Sequence, residues 1–183
     1  MKHPVYVYIS EVKKCSTALP SYIDEKKITN EKALSEKHTA YALLYKAAKE
    51  AFDIDMDISK LTGSENRKPV YPGLHFSLSH SKGLCAVALS KDNVGIDIEQ
   101  EITGERAKRI RKNILHENES PDTDLTELWT KKEAIFKLLG GKVFIPSDID
   151  TTMYNTESKK VNFGDREYTV TIATDNKTEI IWK

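Results

Sequence analysis

Three short segments hold most of the residues whose types and spacing suit chemistry. In Val94-Gly95-Ile96-Asp97-Ile98-Glu99, the two-residue period of a strand puts Val94, Ile96 and Ile98 on one face and Gly95, Asp97 and Glu99 on the other. The apolar face must pack inward, so the opposite face carries two carboxylates beside a glycine that leaves open space. Two like charges so close are unfavourable unless a cation sits between them. Hard oxygen donors suit Mg²⁺, which takes one or two carboxylates together with substrate phosphates. The segment reads equally as a strand end bearing solvated acids. In the second segment, 125–139, Glu133 and Lys137 are one helical turn apart and share a face. Surface ion pairs of this spacing are common, yet both residues flank the apolar stripe closely enough to border a cleft. Lys132 falls on the apolar side, where a lysine snorkels or reaches a ligand. The third segment, Ser79-His80-Ser81-Lys82-Gly83, reads as a loop after a strand. Its donors suit phosphate oxygens, and an ordinary turn would look the same.

These segments need elements to position them. Residues 5–9, Val-Tyr-Val-Tyr-Ile, are β-branched and aromatic and predict a strand. From 31 to 52, Leu34, Tyr41 and Ala48, together with His38, Tyr45 and Phe52, repeat every seven residues and predict a long helix, capped by Thr29 or Asn30. Residues 61–73 are rich in glycine and proline and predict a loop. Strands are expected at 75–79, 84–89 and 94–99, the last two joined as a hairpin through Ser-Lys-Asp-Asn. A charged helix is expected over 104–115 and a stronger one over 125–139, stopped by Gly140-Gly141. Strand candidates follow at 143–145, 151–154, 161–163, 168–173 and 179–182. A helix with strands before the middle and again after it predicts an α+β protein of two related halves, 1–92 and 93–183, although no internal repeat is visible.

Composition narrows the class. A chain of 183 residues can bury a core without disulfides. The 28 basic and 28 acidic residues cancel, so bulk charge supplies no reason for a nucleic-acid or membrane partner. Only Cys15 and Cys85 are present, too few for a disulfide framework and without metal spacing. With no signal-like or spanning run, a cytoplasmic protein is expected.

Taken in order, Phe76-Ser-Leu-Ser-His-Ser81, Val94-Gly-Ile-Asp-Ile-Glu99 and Trp129-Thr-Lys-Lys-Glu-Ala-Ile-Phe-Lys137 resemble the 4'-phosphopantetheinyl transferase superfamily. Its hallmarks are an F-N-x-S-H-S segment, a G-I-D-I-E strand and a W-x-x-K-E-A-x-x-K helix. Arg67-Lys68-Pro69 resembles the family's G-K-P signature, with arginine in place of glycine. The resemblance covers roughly 68–140, and chain length favours the monomeric, two-half Sfp-type branch.

The resemblance implies two pseudo-twofold-related α/β halves, each a long helix on a small antiparallel sheet. It implies transfer of 4'-phosphopantetheine from coenzyme A to a serine of an apo acyl or peptidyl carrier protein, with release of 3',5'-ADP. Asp97, Glu99 and Glu133 would bind Mg²⁺, and Glu133 and Lys137 would be catalytic. Lys68, Ser79, His80 and Lys132 would contact coenzyme A. The carrier, acidic in this pathway, would dock on a basic helix bearing Arg106, Arg109 and Lys112, although the acids that follow it blunt the field and a solvated face fits as well. Two positions depart from the pattern. Ser77 stands where asparagine is usual, and Tyr41 stands where an arginine would bind a coenzyme A phosphate, leaving Lys26, Lys27, Lys32 or Lys37 for that role. The rival readings are a non-catalytic coenzyme A or carrier-binding module and a metal-dependent nuclease. The neutral charge disfavours the nuclease, and the retained carboxylates and Lys137 disfavour the module.

Overall fold

The computed structural model describes residues 2–64 and 67–183, so part of the expected 61–73 loop lies outside the described residues. Nine strands and three α-helices are found among them. Strand β1 (Val5–Glu11) leads to helix α1 (Glu31–Phe52), followed by the short β2 (Thr62–Ser64) and β3 (Arg67–Val70). Then come β4 (His75–Ser81), β5 (Leu84–Ser90) and β6 (Val94–Gln100). Helices α2 (Gly104–Arg111) and α3 (Leu125–Leu139) precede β7 (Asn155–Phe163), β8 (Arg166–Thr174) and β9 (Ile180–Trp182).

One sheet has the order β4-β5-β1-β9 and another the order β6-β8-β7. Both are antiparallel except where β9 runs parallel to β1. The chain is of mixed α+β class, layered helix, sheet, sheet, helix. Between α1 and the first sheet, Tyr41, Leu44 and Ala48 pack on Tyr8, Phe76, Val87 and Leu89. Between the sheets, Val5, Val7, Ala86 and Ala88 meet Ile96, Ile98, Val170 and Ile172. Strand β5 is covered on both faces, which is why its sequence is a continuous apolar run.

Both long helices form over the expected residues because their ends carry the right caps. The Asn30 side chain accepts hydrogen bonds from the amides of Lys32 and Ala33 at the start of α1. The Asp124 carboxylate accepts from the Glu127 amide, and Gly140 at φ 64° closes α3 in the left-handed conformation.

Several expectations are corrected. Strands β5 and β6 are not a hairpin: β5 already has β1 and β4 on its two edges, so the chain crosses to the other sheet. Ser79-His80-Ser81 is strand, and the turn is Lys82-Gly83 alone, both at positive φ (44° and 102°), the pattern of a tight hairpin turn. Part of the 61–73 loop pairs as β2 and β3. No strand forms at 143–145, and 151–154 begins as a turn of 3₁₀ helix, Thr151–Met153, with Asp150 accepting from the Thr152 amide. Helix α2 ends at Arg111, short of residue 115. No helix among the described residues is long and apolar enough to cross a membrane.

Candidate active site

The face of β6 that carries Gly95, Asp97 and Glu99 is not open to solvent, because α3 lies across it. A β-carbon added at Gly95 would stand 1.9 Å from the Ala134 carbonyl oxygen. The glycine therefore admits the helix backbone rather than leaving a void, and this close approach sets Glu133 and Lys137 over the two strand acids.

The other edge of β6 is closed by side chains. Serines at alternate positions of β4 accept hydrogen bonds from alternate amides of β6: Ser77 Oγ from Ile96 (3.1 Å), Ser79 Oγ from Ile98 (3.3 Å) and Ser81 Oγ from Gln100 (3.2 Å). The Lys68 ammonium donates to the Val94 carbonyl (2.6 Å) and to Asn93 Oδ1 (2.9 Å). A row of hydroxyls thus does for this edge what a neighbouring strand's carbonyls would do. It also explains how a serine serves at position 77.

Two of these serines continue into the acids. Ser79 donates to Asp97 Oδ1 (2.6 Å), and Ser81 donates to Glu99 Oε1. Lys137 Nζ lies 2.7 Å from Asp97 Oδ1 and 3.0 Å from Ser79 Oγ. Arg106, from α2, donates to Glu99 Oε2 at 2.7 Å, with its guanidinium 5.9 Å from the Trp129 ring centre. Glu133 has no hydrogen-bond or ion-pair partner among the described residues. Burial raises its pKa above the ordinary glutamate range; Lys137 opposes this, and Asp97 and Glu99 add to it. All five side chains line one cleft of about 390 Å³, with Ser79, His80 and Trp129.

A larger cleft of about 660 Å³ adjoins it, sharing Leu78, His80 and Lys137. Tyr22, Tyr41, Phe136 and Phe144 supply flat apolar walls, while Lys37, Lys68 and Lys142 bring positive charge. Burial lowers the Lys68 pKa to about 8. His80 is half exposed at the join, 3.3 Å from Glu36 of α1. Burial lowers its pKa, with Glu36 opposing and Lys137 and Lys37 assisting. Tyr41 offers no charge: its hydroxyl meets that of Tyr22 at 2.5 Å, and burial keeps it neutral far above the usual tyrosine range. Among Lys26, Lys27, Lys32 and Lys37, only Lys37 lines the cleft.

Lys132 does not join the others. It is fully buried, with its ammonium 2.7 Å from Glu119 and 2.6 Å from the Ile149 carbonyl. Burial alone would raise the Glu119 carboxyl, but hydrogen bonds from His116, Lys132 and Thr151 outweigh it and hold the group below the ordinary range. The expected ligand contact of Lys132 is thereby replaced by a buried ion pair that ties α3 to the 116–151 segment. Arg106, expected on a docking surface, instead turns into the carboxylate cleft, whereas Arg109 and Lys112 are exposed.

Sequence reasoning missed Glu36, Ser77 and Ser81, and the Glu119 partner of Lys132. The serines had a signal, a period of two opposite Phe76 and Leu78. Glu36 and Glu119 had none, since each finds its partner across the fold.

Residues 93–176 match the family model described as the 4'-phosphopantetheinyl transferase superfamily. Through this segment, just under half of its length, the chain is similar to that superfamily. The matched stretch runs from just before β6 to just past β8, so it holds all three carboxylates, Lys137 and Arg106 and leaves out α1, Lys68 and the β4 serines. A relative named 4'-phosphopantetheinyl transferase gsp, from Aneurinibacillus migulanus, is 36% identical over 83 residues, which cover 40% of this chain and 34% of the relative. The alignment therefore spans about a third of that relative's length.

Asp97, Glu99 and Glu133 fit a divalent cation in donor chemistry. All three are hard oxygen donors on one cleft, and the unfavourable proximity felt at Glu133 is what a cation would relieve. In their present rotamers, no three His, Cys, Asp or Glu side chains among the described residues converge as a metal cluster. Asp97 and Glu99 turn to Lys137 and Arg106 instead.

Proposed function

We propose that the chain transfers 4'-phosphopantetheine from coenzyme A to a serine of an apo acyl or peptidyl carrier protein, with Mg²⁺, releasing 3',5'-ADP. One observation carries this reading: Glu133, a half-buried carboxylate of raised pKa with no partner among the described residues, stands with Asp97 and Lys137 in a narrow acidic cleft that opens into a wide, aromatic-walled basic one. A nucleotide diphosphate with a long flexible arm suits that pair of clefts, its base against the aromatic walls and its phosphates toward the cations.

Glu133 would take the proton of the carrier serine. The serine oxygen would bond to the phosphorus that bears pantetheine, the P–O bond of the diphosphate bridge would break, and 3',5'-ADP would leave. Lys137 would stabilise the charge that gathers on the departing oxygen. Lys68 and His80 would hold phosphate oxygens, with Ser79 fixing Asp97 and Lys137. Mg²⁺ held by Asp97, Glu99 and Glu133 would neutralise the diphosphate and polarise the phosphorus under attack. Arg109 and Lys112, exposed on and just after α2, would meet an acidic carrier. On this reading 1–92 and 93–183 are the two halves of a monomer, with β9 crossing to the first sheet.

The deciding experiment incubates the chain with a panel of apo carriers, coenzyme A and Mg²⁺ and records the carriers' intact masses. A phosphopantetheine adduct supports the reading, and no adduct on any carrier refutes it.

A further inference from the structure

The cleft pairs all but one of its carboxylates internally. Three carboxylates, Asp97, Glu99 and Glu133, face two cations, Lys137 and Arg106, and the contacts assign each cation to one strand acid. A divalent ion can take Glu99 as a ligand only if the acid gives up what it now holds. The two ion pairs differ in how firmly they are kept. Lys137 is one-quarter exposed, comes from the well-anchored α3 and is also held by Ser79. Arg106 is 39% exposed and comes from an eight-residue helix that has no buried residue and no side-chain cap at its start. Its second contact is the face of Trp129, which requires no particular acid.

We infer that Arg106 is a resident counter-cation that a divalent metal ion displaces from Glu99, so that this arginine sets the threshold for metal binding. The inference rests on the metal site of the proposed function. It accounts for the lack of a three-carboxylate cluster among the described residues, because a guanidinium holds one oxygen of Glu99. Ser81 stays on the other oxygen of Glu99, so the carboxylate keeps one anchor through the exchange. Displacement also moves a positive charge relative to the Trp129 ring, which makes it visible.

The test uses Mn²⁺ as probe, the full chain, and titration calorimetry with no turnover. Arg106→Gln removes the competing charge at similar size, and it should bind Mn²⁺ about three- to fivefold more tightly than the wild-type chain, the scale of a partly exposed ion pair. Circular dichroism checks that the variant is folded, and Arg106→Lys, which keeps a charge, should fall between the two. In a Trp182→Phe background, which leaves Trp129 as the sole tryptophan, Mn²⁺ should change the emission at saturation. To separate charge movement from quenching by the ion, Mg²⁺ should produce the same change, and Arg106→Gln should lack it. Equal or weaker Mn²⁺ binding by folded Arg106→Gln overturns the inference while leaving the metal site standing. A wild-type chain that binds no divalent ion, with or without coenzyme A, overturns both.

Discussion

The two clefts meet at His80 and Lys137 but are built by different means. The carboxylate cleft rests on β6 and α3, two elements in backbone contact at Gly95, and its polar groups other than Glu133 are held by short hydrogen bonds such as those of Ser79 and Lys137 to Asp97. The wider cleft is framed by α1, the segment around Tyr22 and the Gly140-Gly141 turn, and its walls are mostly aromatic and carry scattered lysines. Chemistry at a phosphorus atom depends on placing charge to within a fraction of an ångström, whereas holding a base and an arm depends on area and tolerates variation. The family match follows the same division, ending at β6 on one side and β8 on the other.

The contrast can be broken most sharply at the carboxylates. Asp97→Ala and Glu133→Ala should each lower transfer by roughly 10³-fold or more, with circular dichroism unchanged, read as the rate of mass gain on the carrier. Activity retained in either variant would remove that residue from the site. Next in size is Lys132→Met, which strands Glu119 as a buried unpaired acid and should cost about 3–5 kcal/mol in urea unfolding. If Lys132 is structural, coenzyme A affinity of the folded variant should be unchanged.

Lys68 tests the wide cleft. Lys68→Met should weaken coenzyme A about tenfold by calorimetry, the loss of one charge-assisted contact. With a pKa near 8, below the usual lysine value, the ammonium is charged at pH 7 and deprotonates as pH rises through about 8. Wild-type affinity should therefore decline across that window and the Lys68→Met curve should lack this step.

The smallest effect concerns stability. The folded pKa of Glu133 is raised, so its ionised form destabilises the fold at pH values above that pKa, and the penalty disappears below the ordinary glutamate pKa. Glu133→Gln should raise the melting temperature at pH 7.5 by a few degrees, and the gain should vanish by about pH 4. A lower melting temperature at pH 7.5 would show that Glu133 stabilises the fold through a contact of its own. These variants separate groups that do chemistry at a cost in stability from groups such as Lys132 that only hold the fold.

Local patterns were enough for several elements. The seven-residue repeats of α1, the Asp124 and Gly140 limits of α3 and the alternation in β6 all follow from short-range periodicity and capping. What failed depended on partners distant in the chain. The 94–99 strand looked like the second arm of a hairpin, because nothing near residue 90 shows that β1 already holds the far edge of β5. Ser79 to Gly83 looked like one loop, because small polar residues suit turns, and only the β6 amides show why hydroxyls belong in that strand.

By itself, the sequence determined the two long helices, the face of β6 that carries Asp97 and Glu99, and the one-turn spacing of Glu133 and Lys137. Each is a matter of residues within a few positions of one another. The tertiary structure decided that α3 would lie on Gly95, that Lys132 would meet Glu119 rather than a ligand, and that Arg106 would turn inward to Glu99. Those outcomes depend on which buried charge finds an opposite charge across the fold, a balance of desolvation and pairing that no local pattern encodes.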